Sequence, residues 1–576
     1  MIKGLAVSPG INSGMAYVIS SGSHLVIPRR EIAEGEIRPE LARFDAAIKE
    51  AERELLAVQK EVKQKIGKKE GEIFAAQILI LKDSAFLNEV SLAVLNKKTN
   101  VEAALASVVE KYSRVFSEIE DVYFRERASD IRDVGRRILS LLTKQGQETS
   151  AIPDGSIVVA DELLPSTTAQ MEIEKIWGII TERGGKTSHS SILARSLGIP
   201  AVIGVKDACL KIKTGDFLIV DALAGTVFVN PGKQVRDEYE KLESDFKAHR
   251  NALKELIDLP NCTQDGTRIS LFANIGKIAD AATALLFKAE GIGLYRTEFS
   301  FLIRDQFPTE EAQYQIYKAL AERLNPALVR IRVLDLGGDK ILPYFPRPQT
   351  KNPLLGERGM RLLLKHQDIL ATQLRAILRV SVSFPVSILL PMVTSVEEVI
   401  QSKKILENVK SSLKAEGVKF NPRIPLGVMI EVPSAVMIAR RLAREVDFLS
   451  LGTNDLIQYL LAADRASDTM IPYYEPFHPA VLQAIKFVVG AAREEGKELS
   501  VCGEMGGDPA YTELLLGLGI RNFSVAPGEI LEVKEAIRSI VVKRAQDLAE
   551  RVLELGTVQE IQECLKNSKL SDCSKV

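Results

Sequence analysis

Cysteine, histidine and long apolar runs are scarce in this chain, and each scarcity removes a class of protein. Five cysteines (Cys209, Cys262, Cys502, Cys564 and Cys573) stand in 576 residues without a CxxC pair or a metal-like spacing. That excludes a disulfide framework and a structural zinc site. No uninterrupted apolar run reaches the roughly 18 residues of a membrane span, and the opening MIKGLAVSPGINSG has no charged region leading into an apolar one. There is no long basic block either. With Lys+Arg 75 against Asp+Glu 76 the net charge is −1, which excludes a general nucleic-acid or anionic-membrane surface. A soluble cytoplasmic protein with no nucleic-acid partner and no membrane insertion is expected, divided into about three to five domains on a prior of ~150 residues each.

Of the five histidines (His24, His189, His249, His366 and His478), only His189 has hydroxyl-bearing neighbours on both sides: Thr187, Ser188, Ser190 and Ser191. It follows Gly184 and Gly185, and Ser190 to Leu197 reads as a helix stopped by Gly198 and Pro200. His189 therefore falls in a first turn, where unpaired N–H groups and the helix dipole favour an anion. A neutral imidazole there is either a helix cap or a nucleophile whose phosphoryl adduct is stabilised where it forms.

The organisation changes twice along the chain. About 20 residues of strand and turn are followed by a charged, helical text from about Arg30 to Lys144, with apolar residues at helical spacing in Gly71–Val90 and Glu120–Leu142. From Ala151 to Pro231 short β-rich pieces return (SIVVADEL, KIWGIITE, PAVIGV, DFLIVDA, GTVFVNPG). The first strands share their character, so the helical bundle reads as an insertion into one α/β domain. The assignment is 1–22 plus 145–231 for that domain, 23–144 for the bundle, and 232–260 for a charged helical linker. Residues 261–576 hold eight strand-like runs alternating with helices, beginning at Arg268, Gly291, Val329, Val386, Leu426, Asp447, Leu499 and Asn522. Eight repeats of strand and helix predict a (β/α)8 barrel with its chemistry at the strand C-terminal ends.

The residues at those ends are chemically suited to that. Glu431 in MIEVPSA and Asp455 in GTNDL are either polar loop residues or hard oxygen ligands for Mg²⁺ or Mn²⁺ held with a substrate phosphate. Arg296, Arg332, Arg358 and Arg465 offer guanidinium forks for a small, multiply anionic substrate, although surface ion pairs would explain each singly. Cys502, beside Gly503, is either a small buried hydrophobe or a thiol that donates a proton to a carbanion or enolate.

Taken in order, SPGI, GGKTSHSSILARS, GIGLYRTEFSFL, LDLGGDK, GVMIEVPSA, LSLGTNDLIQY and VCGEMGGD give a chain that resembles enzyme I of the bacterial phosphoenolpyruvate:sugar phosphotransferase system, nearly end to end. The resemblance implies a swivelling phosphohistidine α/β domain, an inserted helical domain that docks the phosphocarrier protein HPr, and a C-terminal TIM barrel that binds phosphoenolpyruvate and Mg²⁺ and forms a homodimer. It also implies roles. His189 takes the phosphoryl group and hands it to HPr, while Thr168 orients its ring. Arg296, Arg332 and Arg465 hold phosphate and carboxylate, and Arg358 joins them on the phosphoryl group. The Asn454 backbone N–H binds substrate, Glu431 and Asp455 carry the metal, and Cys502 protonates C3 of the enolate to give pyruvate.

Three positions depart from the family pattern. Gln77 replaces a histidine, which bears on carrier preference; Glu357 replaces an apolar or aromatic residue beside Arg358; and Lys186 stands where arginine is frequent. Two related enzymes compete with this reading, an ATP-using dikinase or synthase, disfavoured by the lack of a glycine-rich nucleotide loop, and an enzyme I feeding a regulatory nitrogen-type relay. A non-catalytic scaffold is the rival from another class. The joint presence of His189, Glu431, Asp455 and Cys502 argues against it.

Overall fold

The computed structural model describes the chain except residues 20–27, 66–76, 79, 82, 118–121, 144–151, 164–170, 185–189, 192–193, 195–197, 303, 305, 338–341, 343, 346–351, 466, 468 and 574–576. The chain parts into two compact units, 1–250 and 251–576.

In the first unit, β1 (Ile2–Lys3), β2 (Leu5–Ser8), β3 (Ile11–Ile19), β4 (Ser156–Ala160), β5 (Ile176–Thr181), β6 (Ala201–Ile203), β7 (Phe217–Asp221) and β8 (Thr226–Val229) form one mixed sheet in the order β1-β8-β7-β3-β4-β5-β6-β2. Its centre explains how the chain can leave and return. β3 runs parallel to β4, Met15 facing Ser156 and Ile19 facing Ala160, so the long excursion between them closes on adjacent strands. That excursion is helical: Ile37–Lys65, Ser84–Lys97, Val101–Ser117 and Val122–Thr143 pack around Phe44, Leu55, Val90, Leu105 and Ile138. Helix 84–97 starts where Asp83 accepts the Phe86 N–H at 2.8 Å, satisfying one of the donors a helix start leaves open. The inserted bundle expected from the sequence is thus present. The charged stretch after the sheet forms helix Lys233–Glu255, with Leu253 its buried residue.

In the second unit eight parallel strands close into a barrel: β9 (Ser270–Ile275), β10 (Gly291–Arg296), β11 (Leu328–Arg332), β12 (Val386–Leu390), β13 (Leu426–Ile430), β14 (Phe448–Leu451), β15 (Glu498–Val501) and β16 (Asn522–Val525), the last pairing with β9. These are the eight runs read from the sequence. Strands buried on both faces read as continuous apolar text, as in VSILL and LGVMI, where every residue is buried. Helix Val396–Ala415 opens with a reciprocal Ser395–Glu398 capping box. Leu294, Leu389, Met429, Phe448 and Cys502 cluster inside the barrel. Among the described residues no helix is long and apolar enough to cross a membrane.

Candidate active site

The strand ends of the barrel bring together groups far apart in sequence. Arg332 ends β11 and Glu431 follows β13, while Asp455 lies in the first turn of helix Thr453–Leu461 after β14. Arg332 and Arg358 are not surface cations: they are 4% and 2% exposed. Arg332 Nη2 donates to Glu298 Oε1 and lies 3.5 Å from Asp335, while its Nε is buried without a partner. Arg358 is gripped on two edges. Its Nε and Nη2 donate to Asp335 Oδ1 and Oδ2 at 3.1 and 3.0 Å, and its Nη1 and Nη2 donate to Asp455 Oδ1 and Oδ2 at 3.0 and 3.2 Å. Nη1 also reaches the Tyr459 hydroxyl at 3.1 Å.

Glycines let the Arg358 loop lie against the end of β11. Gly337 has φ +109°, and a Cβ there would meet the Glu357 carbonyl oxygen at 2.4 Å; Gly359 has φ +54°, and its Cβ would meet Met392 at 2.6 Å. Glu357 itself points to Lys365 at 2.6 Å, so the departure beside Arg358 leaves the grip on that arginine to the two aspartates.

Burial and like charge act on Glu431. Its Oε1 accepts the Met392 N–H at 2.6 Å, yet loss of water, then Asp455 and Asp335, push its carboxyl up to about 7. Among the described residues four buried carboxylates (Glu298, Asp335, Glu431 and Asp455) face two buried guanidinium groups, Arg332 and Arg358. No three acidic, histidine or cysteine side chains among them converge closely enough to hold an ion alone. A divalent cation sharing its coordination with a ligand's oxygens fits this donor set and its surplus negative charge.

Asn454 uses its side chain structurally. Nδ2 donates to Glu504 Oε1 at 3.0 Å and Oδ1 accepts the Glu504 N–H at 2.7 Å, which leaves the backbone N–H, in the first helical turn, as the group it can offer a ligand. Cys502 is 2% exposed; it accepts from Ser450 Oγ at 3.2 Å and donates to the Leu451 carbonyl at 3.4 Å. Burial pushes its thiol up to about 11, so at neutral pH it carries its proton. Arg296, at the end of β10, and Arg465, after helix Thr453–Leu461, are exposed.

His189, Thr168 and Lys186 lie outside the described residues. Near them Ser190, Ser191 and Ala194 are helical and Gly198 turns at φ +65°. Gln77 is buried in the bundle, its Nε2 donating to Asp133 Oδ2 at 2.8 Å. The sequence reading gave no role to Tyr459 or to the aspartate clamp on Arg358. Tyr459 was within reach of a pattern argument, since it follows Asp455 by four residues on one helix face.

Three family profiles tile this architecture: PEP-utilising enzyme, N-terminal, over residues 3–127; its mobile domain over 152–225; and its PEP-binding domain over 250–542. A phosphoenolpyruvate-protein phosphotransferase of Bacillus sp. (strain S) is 40% identical over 568 residues, 98% of both chains. One of Haemophilus influenzae is 40% identical over 573 residues, covering 99% of this chain and 100% of its own. A solved structure, the NMR solution structure of Enzyme I (nEIt), is 33% identical with TM-score 0.37, covering 43% of this chain and 100% of that one. The chain belongs to the phosphoenolpyruvate-protein phosphotransferases, the enzyme I family.

Proposed function

We propose that this protein moves the phosphoryl group of phosphoenolpyruvate onto its own His189 and then onto a histidine of the carrier HPr, releasing pyruvate as the first step of sugar phosphotransfer. The observation that carries this reading is the buried pairing of Arg332 and Arg358 with three carboxylates, Glu298, Asp335 and Asp455, at the mouth of the barrel, with the buried Glu431 as a fourth acid there. Arg332, whose buried Nε has no partner, and the exposed cations Arg296 and Arg465 offer guanidinium donors that suit a substrate bearing both phosphate and carboxylate, and Arg358 would join them on the phosphoryl group by exchanging one of its bonds to Asp335, Asp455 or Tyr459. The Asn454 N–H would take a further substrate oxygen.

In this reading Glu431 and Asp455 would hold Mg²⁺, which when bound supplies neutralisation of negative charge on the substrate oxygens. An imidazole nitrogen of His189, its ring held by Thr168, forms the bond to phosphorus. The bridging P–O bond breaks in line, its electron pair staying with the enolate, and the arginines hold the dispersed charge. Cys502 then gives its proton to C3, and pyruvate leaves. A homodimer through the barrel unit and a cytoplasmic location belong to the same proposal. Exposed Met437, Ile471, Tyr473 and Phe487 supply apolar surface that a second copy would cover.

The test is incubation of the purified chain with phosphoenolpyruvate labelled in its phosphoryl group, with Mg²⁺. Acid-labile label at His189 that chases onto HPr is expected, and His189→Ala should take no label while its barrel still binds phosphoenolpyruvate. Label from ATP alone, or label retained by His189→Ala, overturns the assignment.

A further inference from the structure

The barrel interior holds a row of polar side chains that the reading above does not use. Arg330, on β11, is 2% exposed; Nη2 donates to Glu498 Oε1 at 2.6 Å and Nη1 to Ser500 Oγ at 3.2 Å. Ser500 Oγ donates to Ser450 Oγ at 3.3 Å, and Ser450 Oγ to Cys502 Sγ at 3.2 Å. Both serines are fully buried. The guanidinium carbon lies 4.5 Å from the centre of the Phe448 ring and 5.4 Å from that of Phe272, and its Nε has no partner.

The direction of this row is fixed by what each group can do. A guanidinium only donates, so Ser500 must accept from it, and the single hydroxyl proton of Ser500 goes onward to Ser450. Ser450 likewise spends its one proton on the sulfur. The sulfur is therefore an acceptor on its core side, and its own hydrogen is turned elsewhere, toward the Leu451 carbonyl at 3.4 Å. With an apolar residue at position 330 nothing would fix this order, and Ser450 would be free to turn and accept the thiol hydrogen.

A buried cation is an expensive way to fill a barrel. Apolar residues of similar volume often replace buried ion pairs without loss of stability, and a methionine here would also remove the orphaned Nε. What the arginine supplies and a methionine cannot is polarity.

We propose that Arg330, acting through Ser500 and Ser450, is a positioning residue for proton transfer from Cys502: it keeps the thiol hydrogen turned away from the core and supports the thiolate left when that hydrogen moves to the substrate. This rests on the assignment of Cys502 as the proton donor. In the step the S–H bond breaks, a C–H bond forms at C3 of the enolate, and the sulfur keeps the electron pair until solvent returns a proton. The charged groups that act on the thiol from the strand ends are Glu431, Arg296 and Arg332; Arg330, two residues before Arg332 on β11, reaches it only through Ser500 and Ser450.

The test uses the full chain carrying Arg330→Met, Ser500→Ala or Arg330→Lys, with Cys502→Ala as the floor. Two quantities are read: the rate at which methyl methanethiosulfonate modifies Cys502 from neutral to mildly alkaline pH, followed by mass spectrometry, and kcat and KM for pyruvate release. Arg330→Met and Ser500→Ala should slow modification about three- to tenfold at fixed pH, the loss of charge-assisted hydrogen bonding to the thiolate, and lower kcat in parallel with KM little changed. Arg330→Lys, also a pure donor, should restore both. Loosened packing would expose the thiol and speed modification, so the sign separates the proposal from a folding defect. Wild-type rates in Arg330→Met and Ser500→Ala beside a slow Cys502→Ala overturn the proposal alone. Wild-type pyruvate release from Cys502→Ala overturns the donor assignment and the proposal with it.

Discussion

Arg358 and Asp455 are joined by two side-by-side hydrogen bonds, Nη1 to Oδ1 at 3.0 Å and Nη2 to Oδ2 at 3.2 Å, across 97 residues of sequence. Because Asp335 occupies the other edge of the same guanidinium, the plane of Arg358 is set before any ligand arrives. Only a planar fork makes a paired hydrogen bond to each of two carboxylates at once.

Arg358→Lys keeps the charge and loses the fork. Each charge-assisted hydrogen bond is worth about 1.5–3 kcal/mol, so labelling from phosphoenolpyruvate in a single turnover should slow by roughly tenfold to a hundredfold. Arg358→Met should in addition lower the melting temperature, because the fully buried Asp335 loses both hydrogen bonds to Arg358 while it keeps Arg332 at 3.5 Å, so the loss should approach the low end of the about 3–5 kcal/mol of a broken buried pair. A lysine variant that labels at the wild-type rate would show that the fork is not what positions the substrate.

The barrel was legible in the sequence because its strands are short, mostly apolar runs, several of them closed by a polar residue, and because the runs repeat with helices between them. The site was legible as a set of strand-end groups: Arg332, Glu431, Asp455 and Cys502 each stand one to four residues beyond a recognisable apolar run. What the text does not carry is which of them touch. Asp335 reads as one more polar residue in LDLGGDK, and its clamp on Arg358 depends on a loop turn that two glycines permit. Arg330 was overlooked although the period of a strand places it on the same face as Arg332, two residues on. An arginine pair inside an otherwise apolar strand is the signal that would have found it.

Gly503 lies against the start of helix Thr453–Leu461. Its backbone is ordinary, φ −83° and ψ 174°, so only space is at issue: a Cβ would sit 1.7 Å from Thr453 Oγ1 and 2.8 Å from Asn454 Oδ1. Gly503→Ala should leave the circular-dichroism spectrum intact and displace the Asn454 N–H, raising KM for phosphoenolpyruvate about tenfold or more, since a misplacement near 1 Å can cost about a hundredfold. An unchanged KM would remove Asn454 from the binding site.

Gly452 bears on the metal in the same way. A Cβ there would lie 2.8 Å from Glu431 Oε2, whereas one at Gly528 would meet nothing within 4 Å. Gly452→Ala should therefore raise the Mg²⁺ concentration needed for half-maximal labelling several-fold, and Gly528→Ala should not. Equal Mg²⁺ dependence in both variants would argue that Glu431 does not hold the ion.

Cys502 sets a pH expectation whose sign follows from burial. A cysteine in water loses its proton near pH 8.5; loss of hydration raises the Cys502 thiol to about 11, so it stays protonated through neutral and mildly alkaline conditions. Proton donation by this thiol should then show no decline as pH passes the ordinary cysteine range, and should fall only as pH approaches the raised value, where the donor form is lost. Cys502→Ala should slow pyruvate formation by roughly 10²–10⁴-fold, the usual reach of a general acid, across that whole interval, with the Mg²⁺ dependence unaltered. Stopped-flow measurement of pyruvate release at several pH values checks both statements. A wild-type profile that falls near pH 8.5 would mean that the thiol is solvated during the reaction, and a Cys502→Ala profile matching wild type would take the proton transfer away from this residue.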